Sequence, residues 1–150
     1  VDKLGLNDVS DVERYLADLL YGFIHYDQVF AIRNRQGVPV SSLVDMLAEG
    51  DIGVKADTFA REREVHKHIG DFVLFWSGFY PSFLERFRKP GSLDELIDFQ
   101  EQARESYFIC STFDHEPFRD HASTFRKLSE EFEAFRIGLN LVRHQLPGFA

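Results

Sequence analysis

The fold is decided by a stretch in the middle of the chain, residues 66–79, which read HKHIGDFVLFWSGF. Ile69, Phe72 and Trp76 are spaced three and four residues apart, as on one face of a helix, while Phe75 lies off that face. A helix that is apolar on every side is buried on every side. The stretch therefore predicts a central helix that the rest of the chain surrounds.

The first half of this helix, which we predict to begin behind Asp57, is amphipathic. Four charged side chains are expected on its outer face: Arg61, Arg63, Glu64 and Lys67. Further along, Gly70 makes a helix less stable than alanine would by about 1 kcal/mol. Its presence predicts that another helix crosses closely at this position.

Three further stretches show the same alternating spacing of apolar residues, over residues 12–30, 96–113 and 118–146. Four such seams are typical of helices that pack at shallow angles. The sequence therefore predicts an all-α fold of four long helices in an up-down bundle, with one short helix over residues 42–49 in the first crossover. We expect a single domain over residues 1–150.

Local signals predict where these helices begin. Ser10 with Glu13, and Ser92 with Glu95, have the spacing of a capping box, in which each side chain bonds the other's backbone N–H. Pro117 suits the first turn of the last helix, because that turn does not need its N–H.

The predicted third helix is small at its middle, where Ala103, Ser106 and Cys110 lie on one seam, whereas the fourth is rich in phenylalanine. Large side chains opposite small ones allow facing layers to interdigitate. Most of the 16 phenylalanines are therefore interpreted as core filling, and Cys110 as an inert small apolar residue.

The chain is acidic, with 25 Asp and Glu against 17 Lys and Arg and a formal net charge of −8. This balance argues against nucleic-acid and anionic-membrane partners, which need a surplus of positive charge. The longest apolar run, residues 72–84, is too short and too interrupted to span a bilayer. With one cysteine excluding an internal disulfide, we expect a cytoplasmic location.

His121 is the polar exception on the fourth seam, because it stands between Phe118 and Phe125 and is expected to be at least partly buried. A buried imidazole needs a hydrogen-bond partner, which a backbone carbonyl near the helix start would supply. The functional alternative is a candidate ligand-binding cluster of four side chains: His68, Asp71, Tyr107 and His121. If these converge, they offer general acid–base chemistry or an anchor for a ligand.

The histidine spacing does not predict a metal site. His66 and His68 are two residues apart, which places them about 200° apart around a helix. Glu62 with His66 and Glu64 with His68 are interpreted as solvated pairs on a helix face. We expect neither a metal ion nor another cofactor.

The central stretch also resembles a segment of a group of uncharacterised bacterial helical proteins. The resemblance rests on His-Ile-Gly-Asp-Phe at residues 68–72, Leu-Phe-Trp at 74–76 and Gly-Phe-Tyr-Pro at 78–81, with a weaker likeness at 104–107. The group has no established activity. The resemblance implies a bacterial, cytoplasmic setting and transfers no catalytic residue.

Three functions stay open on the sequence alone. The first is a non-catalytic interaction or scaffold protein that binds a protein partner or a second copy of itself. The second is a binder of a small apolar or aromatic ligand in a pocket lined by phenylalanine. The third is an enzyme or metal protein that uses the cluster of His68, Asp71, Tyr107 and His121, and the absence of a catalytic motif leaves this the least favoured.

Overall fold

The computed structural model describes residues 3–25, 58–79 and 98–145, and this part of the chain is helical, without strands. The all-α prediction is confirmed. The elements are α1 (Lys3–His25), α2 (Phe59–Phe79), α3 (Phe99–Ser111), a 3₁₀ turn (Arg119–His121), α4 (Ala122–Glu130) and α5 (Phe132–Gln145). The short helix predicted over residues 42–49 lies outside the described residues. None of the described helices is both long enough and apolar enough to cross a membrane.

Helix α2 lies at the centre of the described structure. Each residue from 68 to 75 is buried, which confirms the prediction of a helix enclosed on all sides. Helices α1, α3 and α5 all contact it, and α4 packs against α1, α3 and α5. The core is therefore built around α2, because this helix has no polar face to turn toward water in its second half.

Helices α2 and α3 run antiparallel. Near the start of α2, the Cys110 thiol donates to the Arg63 carbonyl at 3.6 Å, and further along α2 the Tyr107 hydroxyl donates to Asp71 at 2.8 Å. Residue numbers thus rise along α2 while they fall along α3. Helices α3 and α4 are antiparallel as well, because Arg104 contacts Ser129 whereas Tyr107, later in α3, contacts Phe125, which comes earlier in α4.

The contact between α2 and α3 is tight at Gly70. A Cβ atom there would lie 2.6 Å from Cε1 of Tyr107, closer than real Cβ contacts come. This confirms the predicted close approach at Gly70. Ala103, Ser106 and Cys110 are fully buried on the facing side of α3, so small residues bring the two helices together.

Two helix starts differ from the sequence prediction because another residue caps the helix. Asp98 has an extended backbone (φ −78°, ψ 102°) and its carboxylate accepts from the Glu101 N–H at 3.1 Å, so α3 begins at Phe99. A third helix that continues unbroken through residue 98 is therefore wrong, while the predicted cap at Ser92 lies outside the described residues. The hydroxyl of Thr58 accepts from the Arg61 N–H at 3.0 Å, which places the start of α2 one residue later than a cap at Asp57 would.

The first helix begins at Lys3, so Ser10 lies within it and the predicted start there is wrong. A cap contributes only about 1 kcal/mol, which a longer run of helical hydrogen bonds outweighs.

The predicted fourth helix is divided in two. Residues 119–121 form a 3₁₀ turn, α4 begins at Ala122 rather than in the first turn after Pro117, and Glu131 interrupts the helix with φ −114° and ψ 29°. The Phe135 N–H still bonds the Glu131 carbonyl at 3.2 Å, so α5 continues directly. Apolar spacing does not distinguish one helix from two helices joined by a single residue, and the prediction of one continuous helix is wrong.

Candidate functional site

A buried carboxylate, that of Asp71 in α2, joins three helices. Its Oδ1 accepts from the hydroxyl of Tyr15 in α1 at 2.5 Å and from the hydroxyl of Tyr107 in α3 at 2.8 Å. Its Oδ2 accepts from Nζ of Lys67, one helical turn earlier, at 2.9 Å. Three donors thus compensate the loss of water around this charge, which is what a buried carboxylate requires.

The same network holds its donors in their protonated forms. Burial, followed by the negative charge of Asp71, raises the pKa of Tyr15 and of Tyr107 well above the ordinary value. The charge of Asp71 is also the main cause that raises the pKa of Lys67. All three groups are therefore donors at neutral pH, and neither tyrosine becomes a phenolate there.

A cleft with a volume of about 440 Å³ opens beside this network, between α1, α2 and the start of α4. Asp71, Lys67 and Tyr15 form part of its wall, so the network and the cleft are one site. The other lining residues are Asp18, Leu19, Gly22 and Phe23 of α1, Arg63 of α2, His121 and Phe125.

Aromatic rings make the apolar wall of the cleft rigid. The Tyr15 ring meets the Phe125 ring edge to face, with centroids 5.5 Å apart, and Phe125 stacks on Tyr107 at 6.1 Å. Phe23 stacks on Phe75 of the core at 4.8 Å. Such pairs fix ring positions beyond what burial alone achieves, so the wall is held in place from behind.

Arg63 brings a positive charge into the cleft. Its guanidinium lies over the rings of Phe118 and Phe125, with Cζ 4.5 and 5.2 Å from the two centroids. Its Nε atom is buried and has no hydrogen-bond partner in the part of the chain that the structure describes. The prediction that Arg63 lies on the outer face is therefore wrong, because the aromatic rings of the following elements cover its side chain.

Of the four residues in the predicted cluster, Asp71 and Tyr107 are brought into direct contact. His68 is buried, but its ring stacks on Phe23 at 6.2 Å with the planes 11° apart, and it does not line the cleft. Among the described residues it takes no part in the hydrogen bonds to Asp71.

His121 lies at the rim of the cleft and is exposed, so its predicted burial is wrong. The physical reason is the 3₁₀ turn, which ends at His121 and takes this segment off the helical path that the seam assumed. Its side chain makes no hydrogen bond to cap α4.

Sequence reasoning missed three residues of the site, namely Tyr15, Arg63 and Lys67. Lys67 and Asp71 are spaced i,i+4, which is the spacing of an ion pair on a helix, so this signal was present. Tyr15 is 56 residues away from Asp71 along the chain, and no local pattern indicates that contact. Only the packing of α1 on α2 reveals it.

The remaining candidate groups are buried and do not line the cleft. His66 is buried and its Nδ1 lies 3.0 Å from the hydroxyl of Ser106, and His68 is buried as well, so the interpretation of both as solvated is wrong. Burial raises the pKa of the Cys110 thiol to about 12, in line with its interpretation as inert. Within residues 3–25, 58–79 and 98–145, no group of His, Cys, Asp or Glu could hold a metal ion.

The network holds the polar groups at one end of the cleft in fixed positions. Asp71 already accepts three hydrogen bonds, and the two tyrosines keep their protons at neutral pH. The network therefore serves as a fixed polar end of a cleft whose other side is apolar.

The fold and the site together define an all-α domain with a buried carboxylate network beside an open cleft. The chain matches no family model, no curated protein and no solved structure. The resemblance to bacterial helical proteins stays a prediction.

Proposed function

We propose that this protein binds a small, largely apolar or aromatic molecule in the cleft between α1, α2 and α4. The observation that carries the proposal is the cleft itself, with its volume of about 440 Å³ and a wall of Leu19, Phe23 and Phe125. Sites for small molecules typically have volumes of about 300–1,000 Å³ and apolar walls with few polar groups. The cleft falls in this range.

The packing behind the cleft supports the proposal. Asp71 ties Tyr15 of α1 to Tyr107 of α3, so α1 is held at a defined distance from α2. A cleft that exists before the ligand arrives lowers the entropy lost on binding. Gly22 adds to the space, since it lines the cleft without a side chain.

The test is a substitution at Gly22 whose side chain fills part of the cleft. In Gly22→Leu the new side chain occupies ligand space, and leucine favours the helix more than glycine does. Ala17→Leu is the matched control, because Ala17 is exposed on the same helix and does not line the cleft. Thermal unfolding of both variants verifies that the fold is kept.

The neutral fluorescent probe N-phenyl-1-naphthylamine reports binding. We expect saturable binding to the wild type with a dissociation constant on the order of 10 µM. Gly22→Leu should bind at least about tenfold more weakly, and Ala17→Leu as the wild type does. Equal binding by Gly22→Leu and the wild type, or no saturable binding to the wild type, would contradict the proposal.

A contact between two copies of the chain is the second candidate function, as the interaction hypothesis expects. Ile137 and Leu141 lie one turn apart on α5 and are 48% and 60% exposed, and Val142 adjoins them. Exposed apolar side chains on one face are typical of a protein–protein contact. Sedimentation velocity tests this candidate function. Leu141→Glu should shift the equilibrium from dimer to monomer. A wild type that is monomeric at every concentration would rule the dimer out.

A further inference from the structure

Arg63 lines the cleft, and among the described residues no carboxylate lies within ion-pair distance of it. Four other basic side chains do have such partners: Arg61 with Glu64, Lys67 with Asp71, Lys127 with Glu131, and Arg136 with Glu133. Arg63 instead lies over two aromatic rings, with its Nε atom buried and without a hydrogen-bond partner.

This arrangement leaves a charge in the cleft that no carboxylate of the described helices neutralises. A buried donor of a charged group loses its water and normally regains a hydrogen bond from the protein. The phenylalanine rings attract the cation through their π faces, but they offer no acceptor for an N–H group. Because Arg63 lines the cleft, a ligand there can supply its guanidinium with the acceptor that the described residues do not.

The other charges of the cleft do not supply that acceptor. Asp71 already accepts from Lys67 and the two tyrosines, and the exposed Asp18 forms no ion pair with Arg63. Lys67 follows Arg63 by one helical turn, so the α2 wall of the cleft presents two cations. Within residues 3–25, 58–79 and 98–145, Lys67 has a counter-ion and Arg63 has none.

We propose that the ligand carries an acidic group, a carboxylate or a similar organic anion, and that Arg63 binds it. This inference rests on the proposed function, because it assigns the class of ligand to the same cleft. The planar guanidinium donates two parallel hydrogen bonds to a carboxylate, an arrangement that a lysine cannot form. The apolar part of the ligand lies against Phe125 and Leu19, which line the same cleft.

A matched pair of probes tests the charge of the ligand. 8-Anilinonaphthalene-1-sulfonate has the body of N-phenyl-1-naphthylamine and adds one sulfonate. We expect the wild type to bind the anionic probe at least about tenfold more tightly than the neutral one, since a charge-assisted hydrogen bond is the added contact. Displacement by 1-naphthoate but not by the neutral 1-naphthamide extends the preference to carboxylates.

Substitutions of Arg63 locate the anion. Arg63→Met removes the charge and keeps an unbranched side chain over the two rings, so the anionic probe should bind about tenfold more weakly and the neutral probe within about twofold of the wild type. Arg61→Met is the matched control, because it removes the same charge two residues away, and both probes should bind as they do to the wild type. Arg63→Lys should recover only part of the lost affinity.

The outcomes separate the two proposals. If the neutral probe binds in the cleft and Arg63→Met leaves the affinity for the anionic probe unchanged, this inference is overturned while the proposed function stands. If neither probe binds the wild type, both are overturned. Circular dichroism verifies the fold of Arg63→Met. If that variant does not fold, Arg63→Lys is used in its place. Unchanged selectivity of Arg63→Lys between the two probes, and between 1-naphthoate and 1-naphthamide, would then overturn the assignment to Arg63.

Discussion

The two sides of α2 around Asp71 are built differently. Toward α3 the structure is closed, because the Tyr107 ring lies directly on Gly70 and the facing residues of α3 are small and fully buried. Toward α1 and α4 it is open, and a cleft remains that Tyr15 and Phe125 line. One carboxylate serves both sides, since Asp71 accepts from Tyr107 on the closed side and from Tyr15 on the open side.

The difference follows from the size of the side chains at each contact. Ala103, Ser106 and Cys110 allow α3 to approach α2 until no space is left. On the other side, the rings of Tyr15 and Phe125 keep the helices apart, and Gly22 has no side chain to fill the space between them. The closed side thus provides stability, whereas the open side provides room for a ligand.

The largest effect is expected from removing the carboxylate that joins the two sides. Asp71→Ala leaves the buried Tyr107 hydroxyl without its acceptor and Lys67 without its counter-ion, which should lower the free energy of unfolding by about 3 kcal/mol. Asp18→Ala removes the same charge from an exposed position in the same cleft and should change it by less than about 0.5 kcal/mol. Urea denaturation measures both, and equal effects would show that Asp71 does not join the helices.

The next effect concerns the closed side alone. Gly70→Ala favours the helix, but its Cβ would meet the buried Tyr107 ring, so we expect a net loss of about 2 kcal/mol in the free energy of unfolding. Gly138→Ala is the control in α5, where a Cβ has no atom within 4 Å. That variant should gain up to about 1 kcal/mol. If Gly70→Ala is as stable as Gly138→Ala, the contact between α2 and α3 is looser than described.

The smallest effect concerns the pH dependence of stability. Because the pKa of Tyr107 is raised in the folded state, the unfolded chain loses the phenol proton first as the pH rises above about 10. This contribution to the free energy of unfolding is therefore constant below that pH and falls above it, by up to about 1.4 kcal/mol per pH unit for each such tyrosine. The raised pKa values of Tyr15 and Lys67 act in the same direction.

Urea denaturation between pH 8 and pH 11 checks this expectation. Tyr107→Phe should be less stable at pH 8, because Asp71 loses a donor, yet should lose about 1 kcal/mol less than the wild type by pH 11. Tyr21→Phe is the matched control, since Tyr21 lies on α1 and is 55% exposed. A fall of the same steepness in all three proteins would contradict the assignment to Tyr107.

The fold class could be predicted from the sequence because it depends on local spacing. The burial of α2 and the small seam of α3 follow from which residues recur every three and four positions. The helix ends could not be predicted as well, since a cap such as Asp98 contributes only about 1 kcal/mol and competes with neighbouring signals. The interruption at Glu131 could not be predicted either, because the apolar spacing continues across it.

The candidate site could be predicted in part. Asp71 and Tyr107 were recognisable as polar groups near buried seams, and they do meet. His121 was misplaced because its position assumed an unbroken helix, and a 3₁₀ turn brings it to the surface. Tyr15 and Arg63 were missed because each is defined by contacts with other elements rather than by its neighbours along the chain.

By itself, the sequence determined the helical class of this protein, the burial of α2 and the close contact at Gly70, since each depends on the residues of one or two adjacent helices. Only the tertiary structure decided which groups surround Asp71 and that a cleft remains beside it. The contact between Tyr15 and Asp71 spans 56 positions of the chain. Such a contact, and the space next to it, exists only once α1 has packed on α2, because side-chain volumes on several helices together determine what remains unfilled.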